Sequence, residues 1–198
     1  EPNFKVAITA DTSSGSGFDN VLTLIQGENV DLILSLGDLG YATTATAWIN
    51  KVNTKLGNNF PYLVSRGNHE DSSSWGDIKQ ACNGAADKYG EFNRCRMDAM
   101  GITPSIDTTV DDRFTAQYKG LNMIFLSDTK HSDKAGNHLY AQSKLANNNY
   151  LWNICLIHEN QRATNVGPKD DEVGWPLFEE CRKGGAFIAQ GHSHTYSR

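Results

Sequence analysis

The first third of the chain alternates short apolar runs with glycine-containing loops and longer amphipathic stretches. The apolar runs at 4–10, 31–36 and 61–65 have the length and composition of β-strands. Amphipathic stretches at 18–28 and 44–56 follow the first two runs and predict helices. Strands that alternate with helices are typical of βαβ units, so this part of the chain predicts a largely parallel sheet.

The second half of the chain predicts antiparallel as well as parallel strands. The runs 113–119 and 121–127 are separated only by Gly120, which indicates a tight antiparallel pair. Beyond this pair the pattern predicts helices near 139–147 and 176–183 and strands at 151–158 and 186–190. We therefore expect an α/β fold with a mixed sheet flanked by helices, formed by one domain over residues 1–198.

Residues 71–112 lack a regular pattern and carry Ser, Gly and Asn throughout. We expect a long excursion over the sheet with a short helix around 95–100, and excursions of this length are often functional. Cys82 and Cys95 bracket a Gly-, Asn- and Asp-rich stretch within it, which predicts a loop closed by a disulfide bond.

Composition limits the classes of function. The formal net charge is -5, the signs are mixed along the chain and no basic run occurs, so we expect no nucleic-acid-binding surface. No apolar run approaches the ~18–20 residues of a membrane span. The chain begins almost directly on a strand-like run without a visible signal peptide, which fits either a processed secreted protein or a fragment.

The remaining cysteines, Cys155 and Cys181, lie in an apolar run and in a predicted helix. We expect them to form a disulfide bond or to be inert core residues, because no pair has the CxxC spacing of a cysteine zinc site. An even number of cysteines modestly favours an oxidising compartment, so we expect a secreted or extracytoplasmic protein.

Polar residues stand at the ends of five predicted strands. The carboxyl ends of parallel strands share one edge of a sheet, where ligand sites form, so we expect these side chains to meet. They are Asp11, Asp38 with Tyr41, Asn68 with His69, His158, and His192 with His194. Imidazole and oxygen ligands suit Zn, Fe or Mn, and this number of ligands favours two ions bridged by a carboxylate.

Each of these residues also has a plainer interpretation. Asp11 could cap a helix, Tyr41 could be a packed aromatic residue, and Asn68 could be a turn residue beside a surface histidine. His158 could be a core histidine with its hydrogen bonds satisfied. These interpretations would all have to hold at the same edge of the sheet, which favours the metal site.

The ordered set "D…GDLGY…GNHE…H…GHSH" resembles the calcineurin-like metallophosphoesterase superfamily over nearly the whole chain. Most members carry a histidine two residues after the first Asp, whereas this chain has Ser13. Purple acid phosphatases also lack that histidine and use the tyrosine of a GDxxY motif, which matches Tyr41. The chain is therefore most similar to the purple acid phosphatase branch, and the resemblance implies a metallophosphoesterase-like sandwich.

The resemblance also implies a role for each motif residue. One ion, expected to be Fe(III), would be bound by Asp11, Asp38, Tyr41 and His194. The second ion, expected to be Zn, Mn or Fe(II), would be bound by Asp38, Asn68, His158 and His192. Asp38 would bridge the two ions. His69 would be catalytic, contacting the phosphate and protonating the leaving oxygen.

The implied activity is hydrolysis of phosphate monoesters, as an acid phosphatase-like hydrolase, by in-line attack of a metal-bound hydroxide. The substrate would be a small-molecule phosphate ester, and Arg66, Arg162 and Arg198 are candidates to contact it. One alternative is a phosphodiesterase or nucleotidase of the same superfamily. Another is a non-catalytic structural or binding protein on a phosphatase fold. That alternative is motivated by the altered first motif, "DTSSG", and by the few residues that follow the last motif, which could reflect a domain trimmed at its C-terminus.

Overall fold

The computed structural model describes residues 3–41, 44–128, 136–146 and 149–196. The strands are β1 Val6–Thr9, β2 Thr12–Ser13, β3 Leu32–Ser35, β4 Leu39–Gly40, β5 Tyr62–Val64, β6 Ser105–Ile106, β7 Phe114–Tyr118, β8 Leu121–Phe125, β9 Trp152–Leu156 and β10 Ala186–Ala189. The helices are α1 Ser16–Gly27, α2 Thr46–Leu56, α3 Ser72–Trp75, α4 Tyr89–Ala99, α5 Asn137–Leu145 and α6 Trp175–Lys183.

The strands form two principal sheets. β1, β3 and β5 are parallel, with β3 in the centre. The other sheet has the order β10-β9-β8-β7-β6, in which β10, β9 and β8 are parallel and β7 and β6 are antiparallel additions. β2 and β4 form a small parallel pair between the strand ends and the first helices. The predicted antiparallel pair around Gly120 is confirmed as β7 and β8.

The two sheets pack face to face, and helices cover their outer faces. In β3, Leu32 and Leu34 point into the core between the sheets, whereas Ile33 packs against the helices on the other side. In β8, Met123 points between the sheets and Ile124 points toward α5 and α6. The central strands are therefore buried on both faces, which explains why they read as continuous apolar runs. The predicted α/β class with a mixed sheet flanked by helices is confirmed.

The first outer layer consists of α1, α2 and α4. Trp48 of α2 is fully buried there and lies 5.6 Å from the Phe18 ring, 5.4 Å from the Tyr62 ring and 5.5 Å from the Phe92 ring. Aromatic pairs at these separations contribute roughly 0.5–1.5 kcal/mol each beyond their buried area. This cluster fixes the two helices that follow β1 and β3, and thereby the loops that carry the site.

The excursion at 71–112 is more ordered than the sequence predicted. It contains α3 and an α4 of 11 residues, where a short helix around 95–100 was expected. The pattern concealed α4 because its buried face includes polar residues beside Phe92 and Met97. The buried Asn93 side chain accepts a hydrogen bond from the Val64 N–H and donates to the Val64 carbonyl, each at 2.8 Å. The helix is therefore held to the edge strand β5 by an amide side chain.

Both cysteine pairs form disulfide bonds. Cys82–Cys95 ties the irregular segment to α4, as the sequence predicted. Cys155–Cys181 joins β9 to α6 in the interior, which settles the choice between a bridge and free core cysteines. None of the described helices combines the length and apolar character needed to cross a bilayer.

Candidate metal centre

The strand ends that carry the predicted site belong to two sheets, not to one as the sequence analysis assumed. Asp11, Asp38 and Asn68 follow strands of the first sheet. His158 and His192 follow β9 and β10 of the second sheet. The two sheets present their carboxyl ends at the same end of the sandwich, so the side chains still converge.

One group of ligand atoms lies in the interior between the sheets. Candidate ligand atoms of Asp38, His158 and His192 all lie within 4.8 Å of one another, and all three residues are buried. His158 Nε2 is 3.3 Å from Asp38 Oδ1 and 3.1 Å from His192 Nδ1. Asn68 Oδ1 is also 3.1 Å from His158 Nε2. These four side chains are those predicted for the second ion.

The outer nitrogens of the two imidazoles have their own acceptors. His158 Nδ1 lies 2.6 Å from the Leu36 carbonyl oxygen, and His192 Nε2 lies 3.3 Å from Glu172 Oε1. When these nitrogens carry the ring protons, the lone pairs of His158 Nε2 and His192 Nδ1 face each other. Two lone pairs 3.1 Å apart require a positive charge between them, either a shared proton or a metal ion. The donor set therefore fits a cation.

A second group of ligand atoms lies nearer the surface. Tyr41 Oη is 3.2 Å from Asp11 Oδ1 and 3.0 Å from His194 Nε2, and His194 Nε2 is 3.2 Å from Asp11 Oδ1. Ligands about 2.0–2.2 Å from a zinc-sized ion lie roughly 3.0–3.5 Å from one another. The triangle of these three atoms has that size, so it fits the set predicted for the first ion.

The backbone at the site adopts a conformation that is rare for side-chain-bearing residues. Among the described residues other than glycine, positive φ angles occur at eight positions, and five of these are candidate ligands. The five are Asp11 (52°), Asp38 (53°), Tyr41 (50°), His192 (67°) and His194 (51°). Such strain is tolerated only where the surroundings fix it, and it concentrates at functional sites.

Three glycines permit the loops to approach one another. A Cβ on Gly37 would lie 2.6 Å from Gly67 Cα, and a Cβ on Gly67 would collide with the Asp38 backbone. A Cβ on Gly191 would lie 2.7 Å from the Ala10 side chain. Because these contacts are closer than real Cβ atoms allow, the loops that carry Asp38, Asn68 and His192 depend on glycine at these positions.

Glu70 holds the loops after β3 and β5 together. Its carboxylate accepts hydrogen bonds from the N–H groups of Asp38 (2.8 Å), Leu39 (2.7 Å) and Gly67 (2.7 Å). Burial raises the pKa of Glu70 to about 7, although these N–H donors act to lower it. Its burial and contacts make it an interior brace beneath Asp38.

Electrostatics distinguish the members of the inner group in the metal-free protein. Burial acts to raise the pKa of Asp38, but the hydrogen bond and charge of His158 act against it, and the pKa is lowered. Burial acts to lower the pKa of His158, whereas its hydrogen bond and attraction to Asp38 raise it to about 9. The pKa of His192 is lowered by burial and by the charge of His158. The proton that substitutes for a cation therefore resides on His158.

His69 and Tyr41 lie together at the exposed side of the site. Burial, and then the charge of Asp11, raise the pKa of Tyr41 when no metal is bound. His69 donates its backbone N–H to Asp38 Oδ1 at 3.0 Å, while its Nε2 lies 3.8 Å from Asp38 Oδ2. The His69 side chain is 53% exposed and packs edge-on against the Tyr41 ring at 4.9 Å. A half-exposed imidazole thus lies beside the Asp38 carboxylate.

Several residues that the sequence suggested for substrate contacts lie elsewhere. Arg66 is buried, with Nη1 3.7 Å from Asp112 Oδ2 and Nε donating to the Glu70 carbonyl at 2.8 Å. Arg162 pairs with Asp170 at the surface. Arg198 lies outside the described residues.

Two supporting residues were missed by sequence reasoning. Glu172 contacts His192, and Asn160 joins the loop after β9 to the loop after β10. Both lie in a polar stretch without a motif, and no local pattern distinguishes them from other loop residues.

Comparison with known proteins agrees with this architecture. The family model described as calcineurin-like phosphoesterase matches residues 4–196. Among solved structures, a purple acid phosphatase from yellow lupin (Lupinus luteus) seeds is similar, with a TM-score of 0.58 and 17% identity. The match covers 96% of this chain but 37% of that chain, and at this identity it establishes the fold alone. No curated protein matches the sequence.

Proposed function

Because the chain belongs to the calcineurin-like phosphoesterase family, we propose that it is a metal-dependent phosphatase that hydrolyses phosphate monoesters in the manner of purple acid phosphatases. One observation carries the proposal. Two groups of ligand atoms adjoin at the carboxyl ends of the two sheets, and an exposed imidazole stands over the carboxylate of Asp38. This arrangement supplies binding sites for two cations and a proton donor at their edge.

The proposed ligands follow the two groups. Asp11, Tyr41 and His194 would hold one ion, and Asn68, His158 and His192 the other, with Asp38 between them. We propose Fe(III) for the ion beside Tyr41, because a phenolate is a hard anionic ligand, and Zn, Mn or Fe(II) for the inner ion. When bound, two such ions supply an activated water and offset the charge of the phosphoryl group.

His69 is the proposed proton donor. Its backbone is fixed by the hydrogen bond to Asp38, its ring is held edge-on by Tyr41, and its Nε2 lies 3.8 Å from Asp38 Oδ2 in a side chain that is about half exposed. Nε2 is therefore placed to give a proton to the oxygen that leaves phosphorus, and general acids of this kind contribute about 10²–10⁴-fold to the rate.

A second candidate is a phosphodiesterase of the same superfamily. It is favoured by the open rim of the site, since the side chains of His69 and His194 are 53% and 65% exposed. Arg66, which could have closed a pocket around a monoester, is instead engaged in the interior. Both candidates take a small-molecule phosphate ester.

The two disulfide bonds support a secreted or extracytoplasmic location.

The test compares substrates and variants of the metal-loaded protein. Hydrolysis of nitrophenyl phosphate faster than bis(nitrophenyl) phosphate is expected for a monoesterase, and the reverse order would favour the second candidate. A His69→Ala variant should lose at least about 10²-fold on an alkyl phosphate and less on nitrophenyl phosphate, whose leaving group needs little protonation.

The control for this comparison is His138→Ala, a histidine on α5 outside the cluster, which should behave as the unmodified protein. Equal losses of His69→Ala on both esters would contradict the role of proton donor. If the metal-loaded protein hydrolyses neither ester, and His69→Ala changes nothing, the chain is a binding or structural member of the family.

A further inference from the structure

We propose that Glu172 is a positioning residue that fixes the ring of His192 for metal binding. The inference rests on the proposed metal site and adds a residue that lies outside every motif in the sequence. Glu172 Oε1 lies 3.3 Å from His192 Nε2, the ring nitrogen that faces away from His158. The carboxylate therefore accepts the Nε2 proton and leaves Nδ1 as the nitrogen with the lone pair.

The contact is favourable because both partners are shielded from solvent. The His192 side chain is 8% exposed and that of Glu172 is 29% exposed, so water competes poorly for their hydrogen bond. His192 Nδ1 is on the opposite side of the ring, 3.1 Å from His158 Nε2. A carboxylate behind a metal-binding histidine sets the tautomer and orientation of the ring and increases its basicity.

The position of Glu172 is itself fixed by the loop that follows β9. The Glu172 N–H donates to the Asn160 carbonyl at 3.0 Å. The Asn160 side chain donates to the Gly191 carbonyl at 2.8 Å and accepts a hydrogen bond from the Ser193 hydroxyl. Asn160 thus links the segment that carries Glu172 to both neighbours of His192. The segments that carry the carboxylate and the imidazole are therefore held by the same residue, Asn160.

The neighbouring Asp170 provides a matched control. It belongs to the same acidic run, but its side chain is 85% exposed and pairs with Arg162 on the surface. Asp170→Asn removes one negative charge from the loop, as Glu172→Gln does, without touching His192. A change seen with Glu172→Gln alone therefore reports the contact and not the charge of the loop.

The experiment is a zinc titration of the metal-free protein against a competing chelator, for the unmodified chain and three variants. Glu172→Gln should weaken one of two binding steps by about 10-fold, and Glu172→Ala by up to about 100-fold. Asp170→Asn should leave both steps unchanged. If residue 172 were needed only to fill space and accept a hydrogen bond, Glu172→Gln would bind zinc with the affinity of the unmodified chain. A weaker affinity in Glu172→Gln therefore shows that the carboxylate charge is required.

A second readout does not depend on metal. Ring-nitrogen NMR of the metal-free protein should show the Nε2–H tautomer of His192 in the unmodified chain and a smaller share of it in Glu172→Ala. Native zinc affinity in Glu172→Ala, with an unchanged tautomer, would overturn the role of Glu172 while leaving the metal site intact. Failure of the unmodified chain to bind zinc or iron would instead remove the proposed function and this inference together.

Discussion

The Asp11 carboxylate and the His192 backbone N–H, 181 positions apart in the sequence, are joined by a hydrogen bond of 2.8 Å. The other Asp11 oxygen, Oδ1, is 3.2 Å from both Tyr41 Oη and His194 Nε2. One side chain from the end of the first strand therefore orders the loop after the last strand. Through this contact the outer group of ligand atoms is coupled to the inner group.

Close packing of the two loops at Gly67 predicts that alanine is not tolerated there. A Cβ would collide with the Asp38 nitrogen and with its Oδ1, neither of which can move without displacing the proposed bridging ligand. Gly67→Ala should lower the free energy of unfolding by about 3 kcal/mol and reduce metal binding.

The matched control is Gly17→Ala in α1, where a Cβ meets nothing within 4 Å. That change should raise the free energy of unfolding by about 0.5–1 kcal/mol, because alanine loses less backbone entropy in a helix. Urea unfolding in the presence of chelator measures both. If Gly67→Ala changed the free energy of unfolding as little as Gly17→Ala does, the loops at Gly67 would have room to separate.

The three N–H groups that converge on Glu70 predict a large cost for replacing one of its acceptor oxygens with an NH₂ group. In Glu70→Gln one carboxylate oxygen becomes an NH₂ group that faces backbone donors, so buried N–H groups lose their acceptor. We expect the free energy of unfolding to fall by about 3 kcal/mol. Glu179→Gln, which removes a surface pair with Arg182, should change it by less than about 0.5 kcal/mol. Similar values for the two variants would contradict the bracing role.

The raised pKa of His158 predicts a dependence of stability on pH in the metal-free protein. Burial opposes the shift, but Asp38 raises this pKa from 6.5 to about 9. The stabilisation is complete below pH 6.5 and is lost as the pH rises through about 9, because the folded state then no longer holds the extra proton.

Comparison with Asp38→Asn isolates this contribution. The difference in unfolding free energy between the unmodified chain and Asp38→Asn should shrink by up to about 3 kcal/mol across that pH window. Urea unfolding in chelator at a series of pH values measures it. If the difference in unfolding free energy stayed constant over the whole pH window, the contact with Asp38 would not raise the pKa of His158.

Much of the site could be predicted because its residues stand at strand ends. Asp11, Asp38 and His158 each terminate an apolar run, and the end of a strand in an α/β fold is fixed by the core rather than by the loop. The assumption of one sheet was wrong because β8 and β9 begin a new parallel set whose runs look like those of the first. A continuous apolar run indicates a strand that is buried on both faces, but it does not indicate which strands pair with it.

Other parts of the site could not be found in the sequence. Arg66 lies one residue before a motif glycine, and only the fold reveals that Asp112 and the Glu70 carbonyl hold its guanidinium in the interior. Glu172 and Asn160 act through contacts between loops that are remote from one another in the chain. Such contacts depend on three-dimensional packing and leave no periodic signal.

The central claim is that the two groups of side chains bind two metal ions, and metal analysis of the protein purified without chelator tests it most directly. We predict two ions per chain, including iron, with visible absorption from charge transfer between Tyr41 and iron. Tyr41→Phe should lose that absorption and one ion while remaining folded, since the Tyr41 side chain lies partly exposed at the surface. Two ions without iron would leave the site but remove Tyr41 as an iron ligand. A protein that contains no metal, and takes up neither zinc nor iron when they are added, would contradict the account.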